Sequence, residues 1–198
     1  MILGITGISG VGKHEAAHFF KKRGWVVFDV DKMAHRLYRP YTYVWKALVK
    51  RFGEVILTKE DLVDRQKLRA IVFDSNNATV AKEALHDLNK IIHPEVRRKL
   101  EEKIHRHFRR KSNIVIVAAL WEELGLFDVC DRVLLIKAHQ DKAWVRIKKR
   151  DGIDEAMYKS YTSAQQEPEH PNFVVENNGH RKIFEQQLKK IESQLLNV

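Results

Sequence analysis

The chain has 198 residues, 44% hydrophobic and 31% charged, which suits a globular unit and excludes a disordered tail, a collagen-like repeat or a disulfide scaffold. No run approaches the ~18 consecutive apolar residues of a membrane-spanning helix, the start MILGITG lacks a secretory pattern, and one cysteine, Cys130, excludes an internal disulfide or a multi-cysteine metal site. A cytoplasmic protein is expected, and a formal charge of +10, from 36 Lys and Arg against 26 Asp and Glu, favours anionic partners.

The first apolar run, Ile2–Thr6, is continuous rather than alternating, as in a strand covered on both faces of a sheet. It leads into Gly7-Ile8-Ser9-Gly10-Val11-Gly12-Lys13, which fits G-x-x-x-x-G-K, and then into a helical stretch from Lys13 to Arg23. Glycines permit tight turns in which successive backbone N–H groups point at phosphate oxygens. The helix adds the positive end of its dipole, and Lys13 adds a mobile point charge. Strand, loop, lysine and helix in this order point to nucleotide phosphates, with Gly7, Ser9, Gly10, Val11, Gly12, Lys13, His14 and Glu15 as the binding segment. One position departs from the motif. His14 stands where a Ser or Thr hydroxyl normally ligates Mg²⁺, and imidazole nitrogen suits that hard cation poorly.

A second run, Trp25–Phe28, ends in Asp29-Val30-Asp31. Ligands of an open α/β sheet sit beyond the carboxyl ends of its strands, so both acids should face the phosphate loop. Asp29 reads as structural or metal-supporting, and Asp31 as the chemical group that accepts a proton from an attacking hydroxyl. The competing role for either is to cap the next helix.

About eighty residues then pass without a convincing strand, too long for a structureless loop. Helices are expected around Tyr43–Phe52, closed by Gly53, and around Leu62–Phe73 behind a capping-box-like Thr58-Lys59-Glu60-Asp61. Two more are expected over Asn77–Ile92 and from Pro94 to about Arg110, with Pro94 in a first turn. Between Lys90 and Lys111, nine basic residues face three acidic ones, which reads as a solvated helix face or a patch for a phosphate-rich ligand. Neither zinc-finger spacing nor an aromatic-rich RNA motif supports nucleic acid.

The remaining runs are Ile114–Ala118, Val133–Ile136 and Phe173–Val175, with helical segments between them. The alternation predicts an α/β fold with a mostly parallel sheet carrying a helical insertion. Arg146 and Arg150 are four apart on an expected helix, so they share a face, either to neutralise charge on a transferring group or as a solvated basic surface beside Lys148 and Lys149. His93 before Pro94 reads as closing a helix, and Glu122 supports metal or substrate or caps a helix. The ten histidines form no metal-ligand spacing.

The phosphate loop does not stand alone. With Asp29-Val30-Asp31-Lys32, Ala34, His35, Arg51-Phe52-Gly53, Asp64-Arg65, Leu68-Arg69, Val72-Phe73 and His93-Pro94, the chain resembles the dephospho-CoA kinase family. The series continues through Leu120-Trp121-Glu122, the segment from Arg146 to Asp151, Gln165 and Asn177-Asn178-Gly179, so the resemblance runs from Met1 to about Gly179. It implies an α/β P-loop kinase-like fold, a parallel five-stranded sheet flanked by helices. The whole chain, 1–198, would be one such domain, with a helical substrate-binding insertion at about 40–110 and a lid at about 140–166. It implies transfer of the ATP γ-phosphoryl group to the ribose 3′-hydroxyl of dephospho-CoA with Mg²⁺. Asp31 would be the base, Lys13 the phosphate lysine and Arg146 a lid arginine in catalysis. Arg150 and Asn178 would contact the nucleotide, and His93 would lie in the substrate-facing region.

Two further departures accompany His14. Ala118-Ala119 replaces the family's Pro-Leu, and the connection Gln165–Pro171 is short and lacks the usual basic residue, which bears on adenine or phosphate contacts. Two other readings fit the same residues: a degenerate nucleotide- or CoA-binding homologue with little turnover, and a kinase of another small substrate such as a nucleoside monophosphate. The ligand that replaces the missing hydroxyl and the oligomeric state are left open.

Overall fold

All five expected runs form strands in the computed structural model, which describes residues 1–74, 77–119, 121, 124–163, 165 and 167–196, and of Tyr161 the backbone alone. They are β1 (Ile2–Thr6), β2 (Val26–Asp29), β3 (Ile114–Val117), β4 (Arg132–Lys137) and β5 (Phe173–Glu176), all parallel, in the order β2-β3-β1-β4-β5. The helices are α1 (Lys13–Lys22), α2 (Val30–Arg36), α3 (Tyr43–Phe52), α4 (Arg65–Val72), α5 (Ala78–Phe108), α6 (Gln140–Asp151), α7 (Glu155–Ser163) and α8 (Arg181–Leu196).

The continuous apolar runs follow from burial on both faces. Leu3, Ile5, Val115, Val117, Leu134 and Ile136 point to one layer, completed by Phe20 of α1 and Phe184 and Leu188 of α8. Phe28, Ile114 and Ile116 point to the other, with α2 to α5 above them. This is the period-2 alternation of a strand, hidden in the sequence because both directions lead into a core. Trp25 lies just outside β2 and packs its ring on Phe20, centroids 5.2 Å apart. Gly4 of β1 is required by packing: a Cβ there would strike the Trp121 indole.

The helical insertion between β2 and β3 departs from the sequence reading in two places. Thr58 does not open a helix; its hydroxyl accepts from the N–H groups of Glu60 and Leu62 in a tight turn bounded by a Leu57–Val63 bridge. Helix α4 begins at Arg65, and Asp64 caps it by accepting from Gln66 N at 2.9 Å and Lys67 N at 3.2 Å. The two helices expected around Pro94 are one, α5, with the proline inside it. Its buried stripe, Leu88, Ile92, Val96 and Leu100, keeps a spacing of four straight across Pro94, whose ring is exposed. Packing along that stripe outweighs the one hydrogen bond a proline removes.

The basic run on α5 is partly neutralised along its own helix. Arg97 pairs with Glu101 at 2.9 Å, Arg98 with Glu95 at 2.6 Å and with Glu102, and Lys99 with Glu95 at 3.6 Å. Among the described residues, no helix is long and apolar enough to cross a membrane.

Candidate functional site

The carboxyl ends of the central strands open on a cleft of about 570 Å³. The phosphate loop and the start of α2 form one wall, α4 and α5 the opposite wall, and α6 closes one side. The loop wall is polar, with Ser9, Lys13, Asp31 and Arg146; the helical wall is mainly apolar, with Leu68, Val72, Leu88, Ile92 and Val96.

The loop is shaped by its glycines and clamped from outside. Gly12 holds φ 105° at the N-terminus of α1, a conformation that favours glycine, and a side chain there would also strike the Asn177 amide. Asn177 Nδ2 donates to Val11 O at 2.9 Å, and Arg146 donates to Gly10 O at 3.1 Å and to Asn177 O at 3.0 Å. The Gln165 amide accepts from Ser9 N at 2.8 Å and donates to Ser9 Oγ at 3.0 Å. Three polar side chains from the C-terminal third thus fix the loop without occupying its centre.

Lys13 is only 5% exposed and folds back on the loop, donating to Gly7 O at 2.6 Å and Ile8 O at 3.0 Å. Burial lowers its pKa to about 8, while the Asp31 carboxylate works in the opposite direction. An arriving phosphate offers the ammonium an anionic acceptor in place of two carbonyls.

The two acids after β2 have separate surroundings. The strand ends at Asp29, which caps α2; its Oδ1 accepts from Lys32 N at 2.9 Å. Its Oδ2 meets His14 Nε2 at 2.9 Å and Lys32 Nζ at 3.1 Å. Burial opposes the charged form, but these bonds from His14 and Lys32 outweigh it and hold the carboxyl well below the usual carboxylate range. Asp31, two residues on, is half-buried, and burial raises its pKa against the pull of the Lys13 charge. Asp29 is therefore a committed anion with its oxygens engaged, whereas Asp31 has the raised proton affinity a general base uses.

Of the other residues singled out in the sequence, Ser9, Gly10, Gly12, His14, Arg146 and Arg150 line the cleft with Lys13 and Asp31. Gly7, Val11, Glu15 and Asn178 lie off its wall. Val11 is fully buried, and Glu15 faces Arg181 at 3.6 Å. Asn178 accepts from His139 N at 2.6 Å and so shapes the start of α6. Arg150 forks onto Asp151 through two bonds of 2.8 Å, and His93 stands on the helical wall. Glu122 and Leu120 lie outside the described residues.

Asn177 and Gln165 behind the loop, and Arg65 and Arg69 in the cleft, carry no assigned role in the sequence reading. Asn177 and Gln165 clamp the loop across about 150 residues of chain, and no spacing rule connects them to it. Arg65 and Arg69 of α4 line the cleft near Asp151, whose pKa is held down first by its Arg150 bond. Their spacing of four was a usable signal, the same one that brings Arg146 and Arg150 together. Beside them, burial and then Arg65 lower His35 to about 4, so its ring is neutral, and burial pushes Tyr38 up to about 12.

Among the described residues, the usual hydroxyl ligand for magnesium is missing. The position of the usual hydroxyl is an imidazole bonded to Asp29, and both Asp29 oxygens are engaged. Among the described residues, no three His, Cys, Asp or Glu side chains converge as metal ligands.

A family model described as dephospho-CoA kinase matches residues 1–182. The chain belongs to the dephospho-CoA kinase family. Its relatives include the dephospho-CoA kinases of Fusobacterium nucleatum, 32% identical and covering 97% of this chain and 95% of the relative, and of Aquifex aeolicus, 29% identical and covering 98% and 96%. A solved Thermus thermophilus protein is 28% identical, with a TM-score of 0.76 over 98% of this chain and 97% of that one. A dephospho-CoA kinase from Campylobacter jejuni, 23% identical with a TM-score of 0.68, shares the fold over 98% of this chain and 96% of its own. Membership in the dephospho-CoA kinase family makes the chain a kinase that uses ATP and converts dephospho-CoA to coenzyme A, on a P-loop kinase-like α/β fold.

Proposed function

We propose that the chain transfers the γ-phosphoryl group of ATP to the ribose 3′-hydroxyl of dephospho-CoA, with Asp31 accepting the hydroxyl proton. The observation that carries this reading is one cleft in which the phosphate loop and Asp31 share a wall and an apolar surface stands opposite. Such a space suits a ligand with phosphates at one end and an uncharged arm at the other. Lys13 neutralises charge on the transferring group. Arg146 belongs to the catalytic set through its hold on the loop, so it fixes the loop's geometry as well as its charge.

In this reading α3 to α5 form the substrate-binding insertion, within 40–110, and α6 and α7 form the lid, within 140–166. His93 then faces the substrate, and Arg150 faces the nucleotide once Asp151 releases it. Gly7 and Val11 shape the loop, Glu15 meets Arg181, and Asn178 shapes the start of α6. Mg²⁺ accompanies ATP as the family implies, but no three-ligand cluster converges for it among the described residues, and no step is assigned to it. A cytoplasmic setting, small-molecule substrates and no nucleic acid complete the proposal.

An ADP-release assay with ATP and either dephospho-CoA or nucleoside monophosphates, paired with calorimetric titration of each, tests it. Turnover with dephospho-CoA alone is expected. Turnover only with nucleoside monophosphates, or binding without turnover, overturns it.

A further inference from the structure

Behind the loop wall lies a second cleft, of about 430 Å³, outside the catalytic one. It opens on the edge of β2 that faces away from β3, where the sheet ends. Cations converge on it from three helices, Lys21 of α1, Lys32 and Arg36 of α2, and Lys103 of α5, with the His14 and His18 imidazoles beside them. Asp29 is the single carboxylate in its lining, and His14 and Lys32 already hold it. Among the described residues, no carboxylate pairs with Lys21, Arg36 or Lys103, in contrast to Arg97, Arg98 and Lys99 on the preceding turns of α5. Apolar side chains, Ala17, Val27 and Met33, form the rest of the floor, and Lys103 Nζ sits 5.8 Å from the Phe28 ring centroid.

An ordinary solvated basic face is convex and interleaves its charges with acids. Here like charges face one another across a concave space with a partly apolar floor, where their repulsion is screened less than on an open surface. The volume lies in the ~300–1,000 Å³ range of small-ligand pockets. Cations on three walls match an anion that carries charge along its length. We infer that this second cleft binds a condensed phosphate, a di- or triphosphate chain, either free or as part of a nucleotide. His14, Asp29 and Lys32 line both clefts, so an occupant that draws Lys32 from Asp29 acts on the wall of the catalytic cleft as well.

The test is a binding experiment and does not depend on the kinase reading. Inorganic tripolyphosphate is titrated calorimetrically into the Lys13→Ala protein, in which the phosphate loop has lost its cation. One equivalent should bind, more weakly as salt is raised, and Lys21→Glu with Lys103→Glu in that background should weaken it by ~10-fold or more. The same pair in the otherwise unaltered chain should leave basal turnover and melting temperature unchanged. The milder Lys21→Gln and Lys103→Gln changes, each tested alone, should weaken binding by smaller steps. Displacement of tripolyphosphate by ATP assigns the site to a nucleotide; failure of ATP to displace it assigns the site to the free chain. Absence of binding to the Lys13→Ala protein, or full binding by the charge-reversed pair, overturns the inference.

Discussion

On the loop wall of the catalytic cleft, Asn177, Gln165 and Arg146 cross the fold to bond the backbone or hydroxyl of Val11, Ser9 and Gly10 at 2.8–3.1 Å. On the opposite wall, α4 and α5 are held by Leu68, Val72, Leu88, Ile92 and Val96, and α5 keeps much of its charge in exposed pairs along its own surface. The difference follows from what each wall has to do. Charge on a transferring phosphoryl group must be met within hydrogen-bonding tolerance, so the loop needs directional bonds with angular limits. An apolar wall has only to exclude water and accept an uncharged arm, and non-directional burial is enough for that.

Substitutions on the loop wall should therefore damage chemistry, and those on the helical wall should damage stability. The largest effect is expected for Lys13→Ala, which should weaken ATP binding and lower transfer by at least ~10²–10³-fold, because it removes the charge the loop itself carries. Unchanged ATP affinity by calorimetry would remove the loop from the phosphate site.

Next comes Asp31→Asn, expected to lower kcat by ~10²–10⁴-fold while ATP affinity stays near wild type. Because burial raises the Asp31 pKa above 3.8, the basic form is lost at a higher pH than for an ordinary carboxylate as the solution is acidified. The acid limb of kcat/KM should lie correspondingly high and should vanish in the variant. A near-normal kcat would hand the role to another group, with Asp29 the first to examine.

In the core behind the helical wall, Leu100→Ala removes a side chain that is 1% exposed and lies off the cleft, so it should cost ~2–5 kcal/mol in denaturant unfolding. Turnover per folded molecule should not change; a fall in kcat without loss of stability would break the division between the walls. Pro94→Ala should act in the other direction, raising stability by ~1–3 kcal/mol by restoring a backbone donor inside α5. A lower melting temperature would show that the proline sets the shape of the helix.

The smallest change sharpens the comparison at its weakest point. His14→Thr restores a hydroxyl oxygen beside the phosphate loop, so half-maximal turnover should need severalfold less Mg²⁺. Titration of Mg²⁺ against initial rate decides it, and an unchanged or higher requirement means that His14 is no burden on the metal.

Much of this was legible in the residues. The five apolar runs, the glycine-lysine loop and Asp31 are local patterns whose physics acts over a few neighbours, and each lies where the pattern put it. The start of α4 was misplaced because Thr58 and Asp64 carry the same capping chemistry, and only the Leu57–Val63 bridge assigns Thr58 to a turn. The break at Pro94 was overestimated because the local cost of a proline is visible in sequence and the compensating stripe is not. Sequence does not separate Asn177 from Asn178, although adjacent residues at the end of a strand point in different directions and only Asn177 reaches the loop.

By itself, then, the sequence determined the strands, the phosphate loop and the family, because hydrophobic period, glycine conformation and the order of motifs are short-range properties. The tertiary structure decided the rest. It divided the work between Asp29 and Asp31 by capping one and burying the other beside Lys13. It turned Asn177 and Gln165 into clamps and brought Lys103 of α5 to face Lys21 of α1 across the edge of β2. Burial and contact between residues far apart in the chain arise only when the sheet closes, and those are what set proton affinity, loop rigidity and the meeting of charges.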